Sequence, residues 1–162
     1  MRHWSIEAAE KILRTPEVNV AIFAFLLNFV WEFWQAPFFG SLQALSHFEG
    51  VWLCTIATGG DVVITLCAYW AASASSGSRR WVLRPRWPAI AVYIGIGMVA
   101  TILLEWLATG LLKRWAYSEL MPTLHVIGTG LLPFLQWLIL PPVTLWLARN
   151  QIVGLMHLRD KE

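Results

Sequence analysis

A chain of 162 residues that is 57% hydrophobic and only 14% charged cannot hide its apolar side chains inside a soluble domain of that size. The net charge of +2 says nothing further about partners, and without a recognisable nucleic-acid module no nucleic-acid partner is expected. The composition points to one membrane domain, because nothing outside its apolar runs could build a second core.

Four runs, near 17–38, 51–72, 89–112 and 124–148, are each about 20 residues or more, enough to cross a hydrocarbon core as a helix. The expected fold is all-α, a polytopic transmembrane four-helix bundle over 16–148. It is preceded by a segment at 1–15 and followed by a tail at 149–162. In the first segment Trp4, Ile6, Ala9 and Leu13 fall near one side, which predicts a short helix lying on the membrane surface. That stretch also contains acids, and Glu32 with Trp31 and Trp34 stand where a small-residue cleavage site would belong. The first span is therefore expected to be retained and not removed as a signal peptide.

Thr15-Pro16-Glu17 reads as an N-cap, a first-turn proline and a first-turn acid, and Pro88 can open the third span in the same way. The link after the first span, FFGSLQALSHFEG, is too apolar for a plain linker and is expected to turn over the mouth of the bundle. SASSGSRRWVLRPR reads as a flexible basic loop. Cys54 and Cys67 stand thirteen residues apart on one helix, about 20 Å along its axis, so they cannot bridge and read as buried thiols. The glycine pairs 59/60, 95/97 and 128/130 offer surfaces for close helix approach. Pro133 and Pro141-Pro142 are expected to kink the fourth span.

The basic residues segregate. Arg2, Lys11 and Arg14 precede the spans, Arg79, Arg80, Arg84 and Arg86 fill the middle loop, and Arg149, Arg159 and Lys161 follow the last span. The other two loops hold only Lys113 and Arg114, so both termini and the middle loop are expected to be cytoplasmic. Tryptophans fall into two belts, with Trp31, Trp34, Trp52, Trp106 and Trp115 at the outer ends. Trp70, Trp81, Trp87 and Trp146 stand at the inner ends, as membrane anchors do, and Trp137 is in mid-span.

Against this frame the acids stand out. Glu32, Asp61 and Glu105 lie in apolar runs that contain no Lys or Arg, and each such group costs about 2.5–3.5 kcal/mol to insert. Each span also carries a polar stripe at helical spacing: Asn28, Glu32 and Gln35; Thr58, Asp61 and Thr65; Thr101, Glu105 and Thr109; Thr129, Pro133 and Gln136. Residues three, four and seven apart share one side of a helix, so the four stripes are expected to face inward. Depth then places a polar pocket toward the outer side, with His47 and His125 at its rim. Protonation, a proton shared between two acids, hydrogen bonds from the amides and threonines, or a cationic ligand would each make the carboxyls tolerable. Interhelical hydrogen bonding by itself accounts for the amides and threonines at about 0.6 kcal/mol per bond; it accounts poorly for three acids.

The strings Asn28-Phe-Val-Trp31-Glu32-x-x-Gln35-x-Pro37, Gly60-Asp61-Val-Val, Met121-Pro122-Thr123 and Leu132-Pro133-x-x-Gln136 resemble those of a family of small, uncharacterised four-span bacterial membrane proteins. The resemblance covers most of the chain and implies an inner-membrane location without an activity. Asn28-x-x-Trp31-Glu32 on one span with Asp61 on the next is also similar to the fungal membrane-bound terpene cyclases, which have about seven spans. That likeness implies carboxyls that protonate an epoxide or alkene.

Three functions fit. The first is an intramembrane enzyme acting by acid catalysis on a lipid or isoprenoid. Glu32 or Asp61 would be the acid, Asn28, Gln35 and Gln136 would orient it, and Glu105 would stabilise a developing cation. The second is a component that carries protons, a cation or a small molecule, working as a homo-oligomer. The third is an assembly subunit of a larger membrane complex. Membrane lipids are the expected partners in all three. No motif names a cofactor, and a metal or haem site lacks both E-x-x-H spacing and a mid-span histidine pair. Serine and cysteine nucleophiles find no support.

Overall fold

The computed structural model describes residues 11–125 and 128–159. Most of the surface segment expected at 1–15 therefore lies outside the described residues. Four long helices carry the fold: α1 (Pro16–Gln35), α2 (His47–Ser76), α3 (Trp87–Trp106) and α4 (Leu131–Arg159). With their flanking turns all four are long and apolar enough to cross a membrane. Among the described residues there is no strand beyond the isolated bridges Phe39–Tyr117 and Thr123–Gly130.

Local chemistry sets the helix ends. Pro16 opens α1 where no backbone N–H is needed, and Pro37 removes a donor just past Gln35, so the chain tightens into a 3-10 turn at Ala36–Phe38. Thr15 takes the extended N-cap conformation, but its hydroxyl donates back to the Lys11 carbonyl and does not cap. α2 starts four residues before the expected run, at a capping box in which the Ser46 hydroxyl accepts from the Glu49 N–H and the Glu49 carboxylate accepts from the Ser46 N–H. It stops at Gly77, whose φ of 68° is left-handed and lets the Ser78 N–H reach the Ser73 carbonyl at 3.1 Å. α3 opens on Trp87-Pro88 and widens after Glu105 into a π-helical turn at Leu107–Leu111.

The fourth span differs most from expectation. It begins at Leu131 rather than 124, because Gly128 is left-handed and the Leu124 N–H bonds the Thr129 carbonyl at 2.9 Å in a non-helical turn. It also continues through Pro141-Pro142 to Arg159. The residues expected to form a tail are thus helical as far as Arg159, because Ala148 and Ile152 are buried in the core.

α1 packs on α2 and α4, and α3 packs on the same two, giving a ring of four neighbours. One end of the ring is densely filled. Val20, Ala68, Tyr69, Ala72, Trp81, Tyr93, Ala148 and Ile152 form its core. Trp81 is 4% exposed and packs between Tyr69, tilted at 5.3 Å, and Tyr93, edge-on at 5.8 Å. It is a core residue and not the interfacial anchor its sequence position suggests. Trp34, Trp52 and Trp106 at one end and Trp70, Trp87 and Trp146 at the other are exposed, as anchors should be.

The basic loop is folded too. Its 3-10 turn Trp81–Leu83 is buried, Tyr69 donates to the Arg79 carbonyl, and the Arg79 guanidinium pairs with Glu17 at 2.8 Å. The expectation of a flexible segment fails because Trp81 and Val82 enter the core between the helices. Cys67 is exposed, in contrast to the buried Cys54, because it lies on the outward face of α2.

Candidate functional site

The opposite end of the ring is not filled. There the diagonal helices stay apart and a cavity of about 410 Å³ lies between them, within the usual range of small-molecule sites. Glu32 comes from the last turn of α1, Asp61 from the middle of α2, Glu105 from the end of α3 and Gln136 from the second turn of α4; all four side chains line it. Most of the remaining wall is apolar or aromatic, including Phe39, Leu42, Leu53, Ile64, Leu104 and Trp115. Trp137 forms its floor, tight against Gly97 of α3. The inward stripes are as the spacing predicts: Asn28, Gln35, Thr58, Thr65, Thr101, Glu105, Thr129 and Gln136 are all buried.

The amides form an oriented chain. Trp31 Nε1 can only donate, and it donates to Gln35 Oε1 at 3.1 Å, so the Gln35 NH2 must point the other way. That NH2 meets Glu32 Oε1 at 2.7 Å and Gln136 Oε1 at 3.3 Å. The Gln136 carbonyl is thereby engaged, and its NH2 turns to Asn28 Oδ1 at 2.8 Å, Asp61 Oδ2 at 2.9 Å and Glu32 Oε1 at 3.3 Å. Three acceptors compete for two hydrogens. Asn28 is held in register by its own NH2, which donates to the Ala24 carbonyl at 2.8 Å. Glu32 and Asp61 thus meet at one nitrogen.

Glu105 is held separately. Its Oε2 accepts from the Tyr117 hydroxyl, whose oxygen in turn accepts from the Gly130 N–H at 2.9 Å. Burial, and then the hydrogen bond to Glu105, push the Tyr117 phenol well above its ordinary value, so it stays a neutral donor. Tyr117 also packs on Phe39 at 5.7 Å, and Gly40 and Ser118 exchange backbone bonds with Ala116 and Phe38. The apolar link after α1 therefore does turn over the mouth, pinned to the loop that follows α3.

Other expectations are not met. His47 and His125 are exposed and do not line the cavity; His47 starts α2 and His125 sits in the turn before α4. Asn28 lies beneath the cavity and reaches it only through Gln136. Thr58 and Thr109 do not serve the acids, since each donates to the carbonyl four residues back on its own helix. Arg114 is the residue that sequence reasoning missed, for it lines the cavity from the loop after α3. Its signal was its place in the only basic pair at the end where the acids gather. Among the described residues no three His, Cys, Asp or Glu side chains converge closely enough to hold a metal ion. No family model, curated protein or solved structure matches the chain.

Proposed function

We propose that this chain is an inner-membrane protein whose cavity takes a lipid- or isoprenoid-like ligand from the outer-leaflet side and presents it with an intramembrane acid. The observation that carries this reading is the convergence of three carboxyls, each from a different helix, on one apolar cavity. Glu32 and Asp61 both close on the Gln136 amide, yet the cavity stays open beside them and Glu105 stands on its wall, held separately by Tyr117. The orientation follows from charge, because Arg79, Arg80, Arg84, Arg86 and Arg149 cluster at the filled end while the cavity end carries Lys113 and Arg114. The filled end and both termini are then cytoplasmic.

In this reading Glu32 and Asp61 hold one proton between them. An alkene or epoxide oxygen lying against the pair takes that proton, leaving two carboxylates that Gln35 and Gln136 stabilise through their N–H groups. The positive charge formed on the ligand faces Glu105 and the rings of Trp115, Trp137 and Phe39, and loss of a C–H proton from that cation to the Glu32–Asp61 carboxylates forms the product alkene and restores the shared proton. Incubating the purified protein with membrane lipid extracts and isoprenoid alkenes, followed by liquid chromatography and mass spectrometry, tests the step. Wild type is expected to form an isomerised or cyclised product of unchanged mass that Glu32→Gln and Asp61→Asn do not form. Binding without product would reduce the role to ligand handling, and neither binding nor product would refute the reading.

A further inference from the structure

Arg114 and Trp115 are two nitrogen donors at adjacent positions in the cavity lining, the Arg114 side chain exposed at the mouth and the half-buried Trp115 beside Glu105. The Arg114 guanidinium makes no hydrogen bond or ion pair among the described residues, although three carboxyls line the same cavity. Trp115 Nε1 is buried and faces the Glu105 carboxyl, its neighbouring acceptor, in a contact that falls short of full hydrogen-bond geometry. A buried N–H whose hydrogen bond is incomplete is unfavourable and can take a better-placed acceptor.

The backbone is built to hold this pair in position. After the π-helical turn the chain passes through Lys113 with a left-handed φ of 48°, a conformation that side chains other than glycine rarely adopt. The Arg114 N–H is then tied to the Ala108 carbonyl at 2.8 Å, which turns residues 114 and 115 back toward the cavity. The carboxyls have their own donors in Gln35, Gln136 and Tyr117, so the free cation is not needed to hold them.

We infer that Arg114, assisted by the Trp115 N–H, binds the anionic head group of an amphiphile whose apolar chain fills the cavity toward Glu32 and Asp61. This rests on the cavity being a ligand site. A phosphate suits the geometry, since a guanidinium fork matches two of its oxygens while its charge balances the cation. The arrangement also gives the ligand a direction, with its charged end at the mouth and its reactive carbon chain at the acid pair.

The test measures binding of farnesyl phosphate, farnesol and inorganic phosphate in dodecyl maltoside micelles, which carry no phosphate. Wild type is expected to bind farnesyl phosphate about tenfold or more tightly than farnesol, the gain of one charge-assisted hydrogen bond. Arg114→Gln should lose that preference while binding farnesol as before, and Arg114→Lys should keep part of it. On wild type alone, added salt should weaken farnesyl phosphate and leave farnesol unchanged, which keeps the test decisive if the variants fail to fold. Equal affinity for the two amphiphiles would overturn the head-group assignment and leave the cavity reading intact. Competition by inorganic phosphate at equal concentration would overturn the assignment to an amphiphile. Binding of none of the three would remove both the assignment and the cavity reading beneath it.

Discussion

Gly97→Ala should damage the cavity floor by a single methyl group. A Cβ built at Gly97 would lie 2.0 Å from Trp137 Cζ3 and 2.1 Å from Cε3, where carbon atoms need about 3.5–4.0 Å. The indole, 2% exposed, would have to move by roughly 1.5 Å. Carried by α4 and packed against α3, it borders the cavity on one side. Overpacking of this kind costs about 1–3 kcal/mol, and the displaced ring narrows the cavity as well. The assay is unfolding in mixed micelles by a denaturing detergent, applied to Gly97→Ala, Trp137→Leu and the double variant. Trp137→Leu removes the clashing ring, so the double variant should recover most of the loss caused by Gly97→Ala, with a coupling of about 1–2 kcal/mol. Wild-type stability in Gly97→Ala, or simple additivity in the double variant, would refute the close helix approach inferred here.

Three other outcomes are expected. Gln136→Leu removes the donor shared by Asn28, Asp61 and Glu32 and should cost about 1–3 kcal/mol by the same unfolding assay, well above the ~0.6 of one ordinary interhelical bond; a loss at or below that ordinary value would count against the network. Tyr117→Phe removes the hydroxyl that donates to Glu105 and accepts from the Gly130 N–H, so it should cost about 1–3 kcal/mol at neutral pH. Because the folded-state phenol is raised, its contribution is constant below its unfolded value near ~10 and falls as pH rises beyond it, and stability measured from neutral to alkaline pH should lose that part of the slope in the variant. Gly60 lines the cavity and a Cβ there meets nothing within 4 Å, so Gly60→Leu should fold normally yet fill the site; unchanged lipid content in the purified variant would argue that the cavity is not where ligand binds.

The helices and the acid cluster were legible because both obey a period. Asn28, Glu32 and Gln35, or Thr101 and Glu105, share a face on any helix, and only an inward face suits them in an apolar span. Helix boundaries were legible where a capping signal was read, as at Pro16 and Pro88. The Ser46–Glu49 box carries the same kind of signal and starts α2 four residues ahead of the apolar run. What periodicity does not encode is the path of irregular segments. The left-handed positions at Lys113 and Gly128 turn the chain so that Arg114 enters the cavity and His125 does not. Trp81 was misplaced for a related reason. Its position in a basic loop says interface, and only the gap between Tyr69 and Tyr93 makes it core.

Native mass spectrometry of the protein released gently from membranes, with wild type beside Glu32→Gln and Asp61→Asn, decides whether the carboxyl-lined cavity holds a ligand. Wild type should carry one specific amphiphile per chain, and the two variants should fold but lose it or carry it in a chemically altered form. Three equally stable proteins with no specific ligand would contradict a working site and leave the acids as part of the helix packing alone.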